Sequence, residues 1–218
     1  MIAASPIIHV VDDDPSFRTA IGDLLSVSGY RVALYDSAIR LLKALPLRSE
    51  AGCILLDVQM AEVSGPQLQT RLAELGCKLP VVFITGHADI ATSVQTIKAG
   101  AEDYLAKPVR RKQMLEVIER ALVRYAKMRE LDDQVDVMRS RLALLTPREN
   151  DVFALLVRGK PHKQLAYELG MAERTVKMHR HSIMDKFQVR SLAELAVIAE
   201  RLDLLREPGK AEPDPTHS

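Results

Sequence analysis

The chain has 218 residues, of which 47% are hydrophobic and 27% charged, with a formal net charge of +1 at pH 7. That is an ordinary soluble globular balance, enough for one large or two small domains, each with its own core. It excludes a transmembrane protein, because no apolar run approaches the roughly 18 residues that a span requires.

The opening residues Met1 to Pro6 lack the basic stretch and long apolar core of a secretory signal. Cys53 and Cys77 are isolated thiols without metal-ligand spacing and read as small core residues, with a disulfide or redox sensor as the minority view. A cytoplasmic location with no membrane partner is expected. The near-zero net charge hides an asymmetry. Asp12, Asp13 and Asp14 crowd the N-terminal part, whereas Arg174, Lys177, Arg180, Lys186 and Arg190 gather late with only Asp185 among them. Cation binding early and polyanion binding late follow from that distribution.

In chain order, short apolar runs at Ile7–Val11, Val32–Tyr35, Cys53–Leu56, Val81–Ile84 and Tyr104–Ala106 read as strands. Between them, Pro15–Ser28, Ala38–Leu45, Gln67–Glu74 and Ile90–Ala99 carry helical periodicity. Asp14-Pro15 is a good helix start, a capping acceptor followed by a residue whose fixed φ suits the first turn. Alternating strands and helices predict an α/β fold, a five-stranded parallel sheet covered on both faces. Such sheets bind ligands beyond the carboxyl ends of their strands.

From about residue 110 to 145 the pattern changes. Met114, Val117, Ala121, Arg124, Met128, Leu131, Val135, Met138, Leu142 and Leu145 follow a three-four spacing, a heptad seam broken by Arg124. Up to about Leu122 this reads as the last helix packed on the sheet. Beyond it the seam needs another partner, for which a parallel coiled-coil dimer is preferred over docking on a neighbouring domain.

From Thr146 an all-α domain follows. Thr146-Pro147-Arg148-Glu149 is a capping box opening a helix that should end at Gly159. Further helices are expected over Lys163–Leu169, over Glu173–Phe187, and from a Ser191 cap to about Leu205. A disordered tail is expected from Glu207. The predicted divisions are an α/β domain over 1–124, a helical linker over 125–141, an all-α domain over 142–206 and a tail over 207–218.

The predicted strands end in polar residues: Asp12-Asp13 after the first, Asp57 after the third, Thr85 after the fourth, with Lys107-Pro108 following the fifth. In a parallel sheet these ends share one rim. Three carboxylates meeting there repel one another and need a cation, and hard oxygen ligands favour Mg²⁺. A lysine and a threonine hydroxyl opposite could hold a phosphoryl group. Each residue has an ordinary reading beside this one: Asp14 as a helix cap, Thr85 closing a turn with Gly86, Lys107 as a solvated surface residue. Their joint occurrence at the right strand ends outweighs those readings.

The segments Val10-Val11-Asp12-Asp13-Asp14, Leu55-Leu56-Asp57-Val58-Gln59-Met60, Ile84-Thr85-Gly86-His87 and Tyr104-Leu105-Ala106-Lys107-Pro108 resemble the receiver domains of two-component response regulators. The resemblance implies a CheY-like doubly wound fold with Asp57 as phosphoacceptor. It implies Mg²⁺ held by Asp12, Asp13, Asp57 and the backbone carbonyl of Gln59. It also implies phosphoryl contacts from Thr85 and Lys107, Tyr104 as a switch aromatic, a cis peptide at Lys107-Pro108, and a sensor histidine kinase as donor. One departure is Ala61, where the family usually has proline, and a looser loop is expected there.

The later pattern, from Leu145-Thr146-Pro147-Arg148-Glu149 through Lys163-Gln164-Leu165-Ala166 and Leu169-Gly170 to Arg174-Thr175-Val176-Lys177-Met178-His179, resembles the LuxR-type helix-turn-helix. With the receiver, it resembles the NarL/FixJ family. Val176, Ile183 and Phe187 should face inward, leaving a cationic outer stripe suited to a DNA major groove. By positional analogy Lys177, Met178 and His181 reach base edges, and Arg174, Thr175, Arg180 and Lys186 complete the DNA-binding set, the last three on phosphates. His179 reads equally well as a packing residue or a DNA contact.

The implied protein is a transcription regulator, dimeric at least when phosphorylated, whose partners are the kinase, double-stranded DNA and RNA polymerase. It is no metabolic enzyme, taking part only in its own phosphoryl transfer and dephosphorylation. Two rivals stand beside it: a helix-turn-helix that docks a protein, and a constitutive DNA binder with a vestigial receiver.

Overall fold

In the computed structural model, residues 5–45, 51–86 and 102–205 are described. The predicted helix Ile90–Ala99, His87 and the predicted tail over 207–218 lie outside them. The chain divides into two compact units, Met1–Arg129 and Glu130–Ser218. Among the described residues, no helix is long and apolar enough to cross a membrane.

The first unit holds strands β1 (Ile7–Val11), β2 (Arg31–Tyr35), β3 (Gly52–Asp57), β4 (Val81–Thr85) and β5 (Asp103–Ala106), with helices α1 (Pro15–Val27), α2 (Ala38–Lys43) and α3 (Gly65–Glu74). A longer helix, α4 (Arg111–Ala143), begins in this unit and ends in the next. The five strands are all parallel, in the order β2-β1-β3-β4-β5. Alternation along each strand sends side chains to opposite faces. Ile8, Val10, Leu55, Val82 and Ile84 pack with Ile21 and Leu25 of α1 and with Met114, Val117, Ile118 and Ala121 of α4. Val11, Ile54, Leu56 and Phe83 pack with Leu41 of α2 and with Leu68 and Leu72 of α3. His9 is buried within β1, its Nδ1 3.1 Å from the Tyr35 hydroxyl, and burial pushes its pKa down to about 4, leaving it neutral.

Chain reversal after β1 is where the site forms. The chain leaves β1 for β2 on one side and returns for β3 on the other, which makes the β1/β3 edge the switch point of the sheet. Val11 pairs with Leu56, so Asp12 and Asp57 follow at the same level of the rim.

The second unit is helical: the end of α4, then α5 (Pro147–Leu156), α6 (His162–Glu168), α7 (Glu173–Phe187) and α8 (Leu192–Arg201). Its core joins Val152, Phe153, Leu165, Val176, Ile183, Phe187, Leu195, Ile198 and Ala199, with Phe153 stacked on Phe187 at 5.3 Å. The inward residues expected on α7 are fully buried. Helix α8 stops near Arg201, short of the expected Leu205. Asp203 turns to φ +58°, and the amides of Asp203 and Leu204 donate back to the carbonyls of Glu200 and Ala199 at 3.0 and 2.9 Å. This left-handed termination needs no glycine to announce it, although glycine is its usual occupant.

The heptad seam is not one buried face. It holds through Ala121, but the next buried residue is Tyr125 and not Arg124, whose guanidinium reaches outward to Glu102 at 2.9 Å. The turn of 3.6 residues drifts from a strict 3.5-residue seam, and one helical step moves the buried line across. Met138, Leu142 and Leu145 pack on the core of the second unit. Docking, the second of the two expected partners, therefore accounts for the end of the seam. Met128 and Leu131 are 40% and 52% exposed.

Candidate functional site

The acidic pocket is built from strand ends. Asp12 follows β1, Asp57 ends β3, Thr85 ends β4, and Lys107 lies one residue past β5. Asp12 and Asp57 are only 1% and 6% exposed, and Thr85 is buried. Carboxylate oxygens of Asp12, Asp13 and Asp57 all lie within 4.8 Å of one another. Lys107 Nζ donates to Asp12 Oδ2 at 2.7 Å and lies 3.1 Å from Asp57 Oδ1. The Lys107-Pro108 peptide is cis, as the resemblance implied, and the Lys107 amide donates to the Thr85 carbonyl at 2.7 Å.

Electrostatics at the pocket are finely opposed. Burial raises the pKa of Asp57, Lys107 acts against it, and Asp12 and Asp13 add to the rise. For Lys107, burial disfavours the charge, but hydrogen bonds to Asp12 and Asp57 outweigh it and hold the ammonium protonated. One lysine cannot balance three carboxylates, so a divalent cation fits the charge of the site. It also fits the dimensions: oxygens on opposite sides of an octahedral Mg²⁺ lie about 4.2 Å apart. Gln59 lies in the loop two residues beyond Asp57.

Two loop residues shape this corner. A Cβ at Gly65 would sit 2.6 Å from the Asp57 carbonyl oxygen and 2.8 Å from Phe83, so only glycine lets α3 start here. Ala61 departs from the expected loosening: its amide donates to Asp13 Oδ2 at 3.2 Å. A proline could make no such bond, so the substitution gives the loop a tether to the acidic cluster. Asp14 does act as the cap of α1, accepting from the amides of Ser16 and Phe17 at 2.8 and 3.2 Å. Tyr104 is half-buried, packed on the cluster that contains Phe83.

Helix α7 presents the basic residues. Arg174, Lys177, Met178 (62% exposed) and His181 face solvent, whereas Thr175, His179 and Arg180 are half-buried. The Arg180 Nε is buried with no hydrogen-bond partner. Lys186 needs correction: it does not project from an outer face. Its Nζ donates to Glu149 Oε2 at 2.6 Å and to the Leu144 carbonyl at 3.0 Å, an internal tie between α7 and the start of α5.

Glu149, placed in the sequence only as a capping residue, is the hub of that tie. It accepts from the Thr146 amide at 2.7 Å, completing the capping box, and also from the Ser182 hydroxyl at 2.6 Å. Hydrogen bonds from Lys186 first and Ser182 next lower its pKa to about 2. At the same C-terminal end of α7, Arg141 of α4 donates to the Phe187 carbonyl and the Gln188 side chain, both at 2.6 Å. Heptad spacing gave no hint of this clamp; an arginine near a helix end is its only trace.

Residues 8–119 match the model of the response regulator receiver domain, and residues 143–199 match that of the bacterial regulatory proteins of the luxR family. The response regulator protein TmoT of Ectopseudomonas mendocina is 39% identical over 196 residues, 90% of this chain and 89% of that protein. The transcriptional regulatory protein FixJ of Rhizobium meliloti is 36% identical over 194 residues, 88% and 94% of the two chains. Among solved structures, the response regulator StyR matches with a TM-score of 0.79 and 41% identity, covering 91% of this chain and 100% of that one. Full-length FixJ from B. japonicum matches with a TM-score of 0.56 and 33% identity, covering 92% and 98%.

Proposed function

The chain belongs to the NarL/FixJ-type response regulators, transcriptional regulators that join a receiver to a LuxR-type DNA-binding domain, and from that premise we propose how its own residues divide the work. Asp57 is the phosphoacceptor. One of its carboxylate oxygens attacks the phosphorus of a phosphohistidine on a sensor kinase, the new O–P bond forms as the P–N bond breaks, and the imidazole leaves with a proton. Asp12, Asp13, Asp57 and the Gln59 carbonyl would hold Mg²⁺, which when bound would supply positive charge to the transferring oxygens. Lys107 and Thr85 bind the phosphoryl oxygens, and water later hydrolyses the acyl phosphate. The supporting observation is the convergence of Asp12, Asp13 and Asp57 within 4.8 Å, with the Lys107 ammonium beside them.

Tyr104 moves with Thr85 when phosphate arrives, and the altered surface drives dimerisation. Exposed Met128 and Leu131 support a dimer contact along α4. Two DNA-binding domains then meet half-sites about one helical turn apart, and bound dimers engage RNA polymerase. Lys177, Met178 and His181 read base edges; Arg174, Thr175 and Arg180 hold phosphates. Lys186 supports the helix through Glu149.

Sizing and duplex titration of the full chain, with and without beryllofluoride plus Mg²⁺, test this reading. A shift from monomer to dimer with tighter, steeply salt-dependent binding is expected. Binding unaffected by beryllofluoride would favour a constitutive regulator. Lys177→Ala should cost roughly 1–3 kcal/mol on the preferred operator and relax preference at one base position. Equal weakening on every duplex would demote Lys177 to a phosphate contact.

A further inference from the structure

Lys107 has a third neighbour besides the two aspartates. Its Nζ lies 4.1 Å from the centroid of the Phe17 ring, well inside the range of a cation–π contact. Phe17 stands in the first turn of α1, where Asp14 caps its amide at 3.2 Å, and its ring packs on the core cluster that holds Ile21 and Leu25. The cap holds the Phe17 backbone and the core packing holds its ring, while Lys107 reaches it at the end of a flexible side chain.

We propose that Phe17 is a positioning residue for phosphoryl transfer, its ring face holding the Lys107 ammonium over Asp57 while the ammonium exchanges partners. The inference deepens the proposed function and rests on Lys107 contacting the phosphoryl group. Before transfer, Lys107 is bonded to Asp12 and Asp57. To stabilise the incoming phosphoryl oxygens, it must give up at least one carboxylate contact. Hydrogen bonds are directional and break in that exchange. Attraction to a ring face is not consumed by it, so the ring keeps the charge in place as its other partners change.

The test compares Phe17→Leu, Phe17→Tyr and Lys107→Met in the full-length protein. Leucine keeps apolar packing and removes the ring face; tyrosine keeps the face. One readout needs no phosphoryl chemistry: the Lys107 ε-methylene proton shifts by NMR, which the ring current moves upfield in the native protein. The other is the rate of phosphoryl incorporation from acetyl phosphate with Mg²⁺. Phe17→Leu should lose the upfield shift and slow labelling about fivefold, the size of a cation–π contact at a partly exposed site. Phe17→Tyr should restore both.

Labelling by Phe17→Leu at the native rate, with Lys107→Met impaired, would overturn the role of Phe17 and leave that of Lys107 standing. Native-rate labelling by Lys107→Met would overturn the reading of Lys107 itself. Equal slowing by leucine and tyrosine with the upfield shift retained in the tyrosine variant would assign Phe17 to packing alone, which also refutes the proposal.

Discussion

Asp57→Asn abolishes phosphoryl incorporation from acetyl phosphate, and with it any gain in DNA binding that depends on phosphate. The amide keeps the size of the side chain, and its carbonyl oxygen can still accept from Lys107, whose Nζ lies 3.1 Å from the native carboxylate. The fold of the first unit, built on Ile54, Leu55, Leu56 and their neighbours, has no reason to change. What disappears is the anionic nucleophile and one of three carboxylates available to the cation. Radiolabel or intact mass with Mg²⁺ present reads the result. Label persisting on the variant at another carboxylate would overturn the assignment of Asp57.

Glu149→Gln destabilises the second unit by roughly 2 kcal/mol at neutral pH, and the loss fades in acid. A carboxyl lowered from 4.5 to about 2 is worth at most roughly 3 kcal/mol by linkage, and water around the Lys186 ammonium reduces that figure. The folded-state pKa is depressed, so the stabilisation is complete above the unfolded value of 4.5 and is lost as pH falls toward about 2. Native protein and variant should therefore differ fully at pH 7 and converge between pH 4.5 and 2. Denaturant melts followed in the all-α unit at several pH values check this. A gap that stays constant down to pH 2 would mean that the carboxylate charge is not what holds Lys186 and Ser182. The same variant should weaken operator binding, because Glu149 ties α7 to the start of α5.

Much of this architecture is written along the chain. Strand boundaries fall within about a residue of the apolar runs; β1, β3 and β4 are buried along almost their whole length, so their apolar runs are continuous and local. The Asp14 cap and the Thr146–Glu149 capping box are equally local, set by residues two or three apart. The pocket was legible because parallel strands must bring their polar ends to one rim.

Other contacts, made across elements without a shared strand rim, were not legible. Nothing in the spacing of Glu149 and Lys186 foretells a 2.6 Å bond between residues 37 apart, so a basic residue late in α7 read as a DNA ligand. Tyr125 displaced Arg124 from the buried line because helical drift depends on what the helix packs against. Ala61 gained a role through an amide proton, which a side-chain pattern does not show. The end of α8 hid in a left-handed Asp203, a conformation that the residue type permits but does not advertise.

The most direct test of the central claim is chemical mapping of the phosphorylated residue. Full-length protein is phosphorylated with acetyl phosphate and Mg²⁺, reduced with borohydride to convert the acyl phosphate into homoserine, and digested for mass spectrometry. Homoserine at position 57 alone, dependent on Mg²⁺, is the predicted result. Homoserine at position 12 or 13, or labelling undiminished when Mg²⁺ is removed, would contradict it.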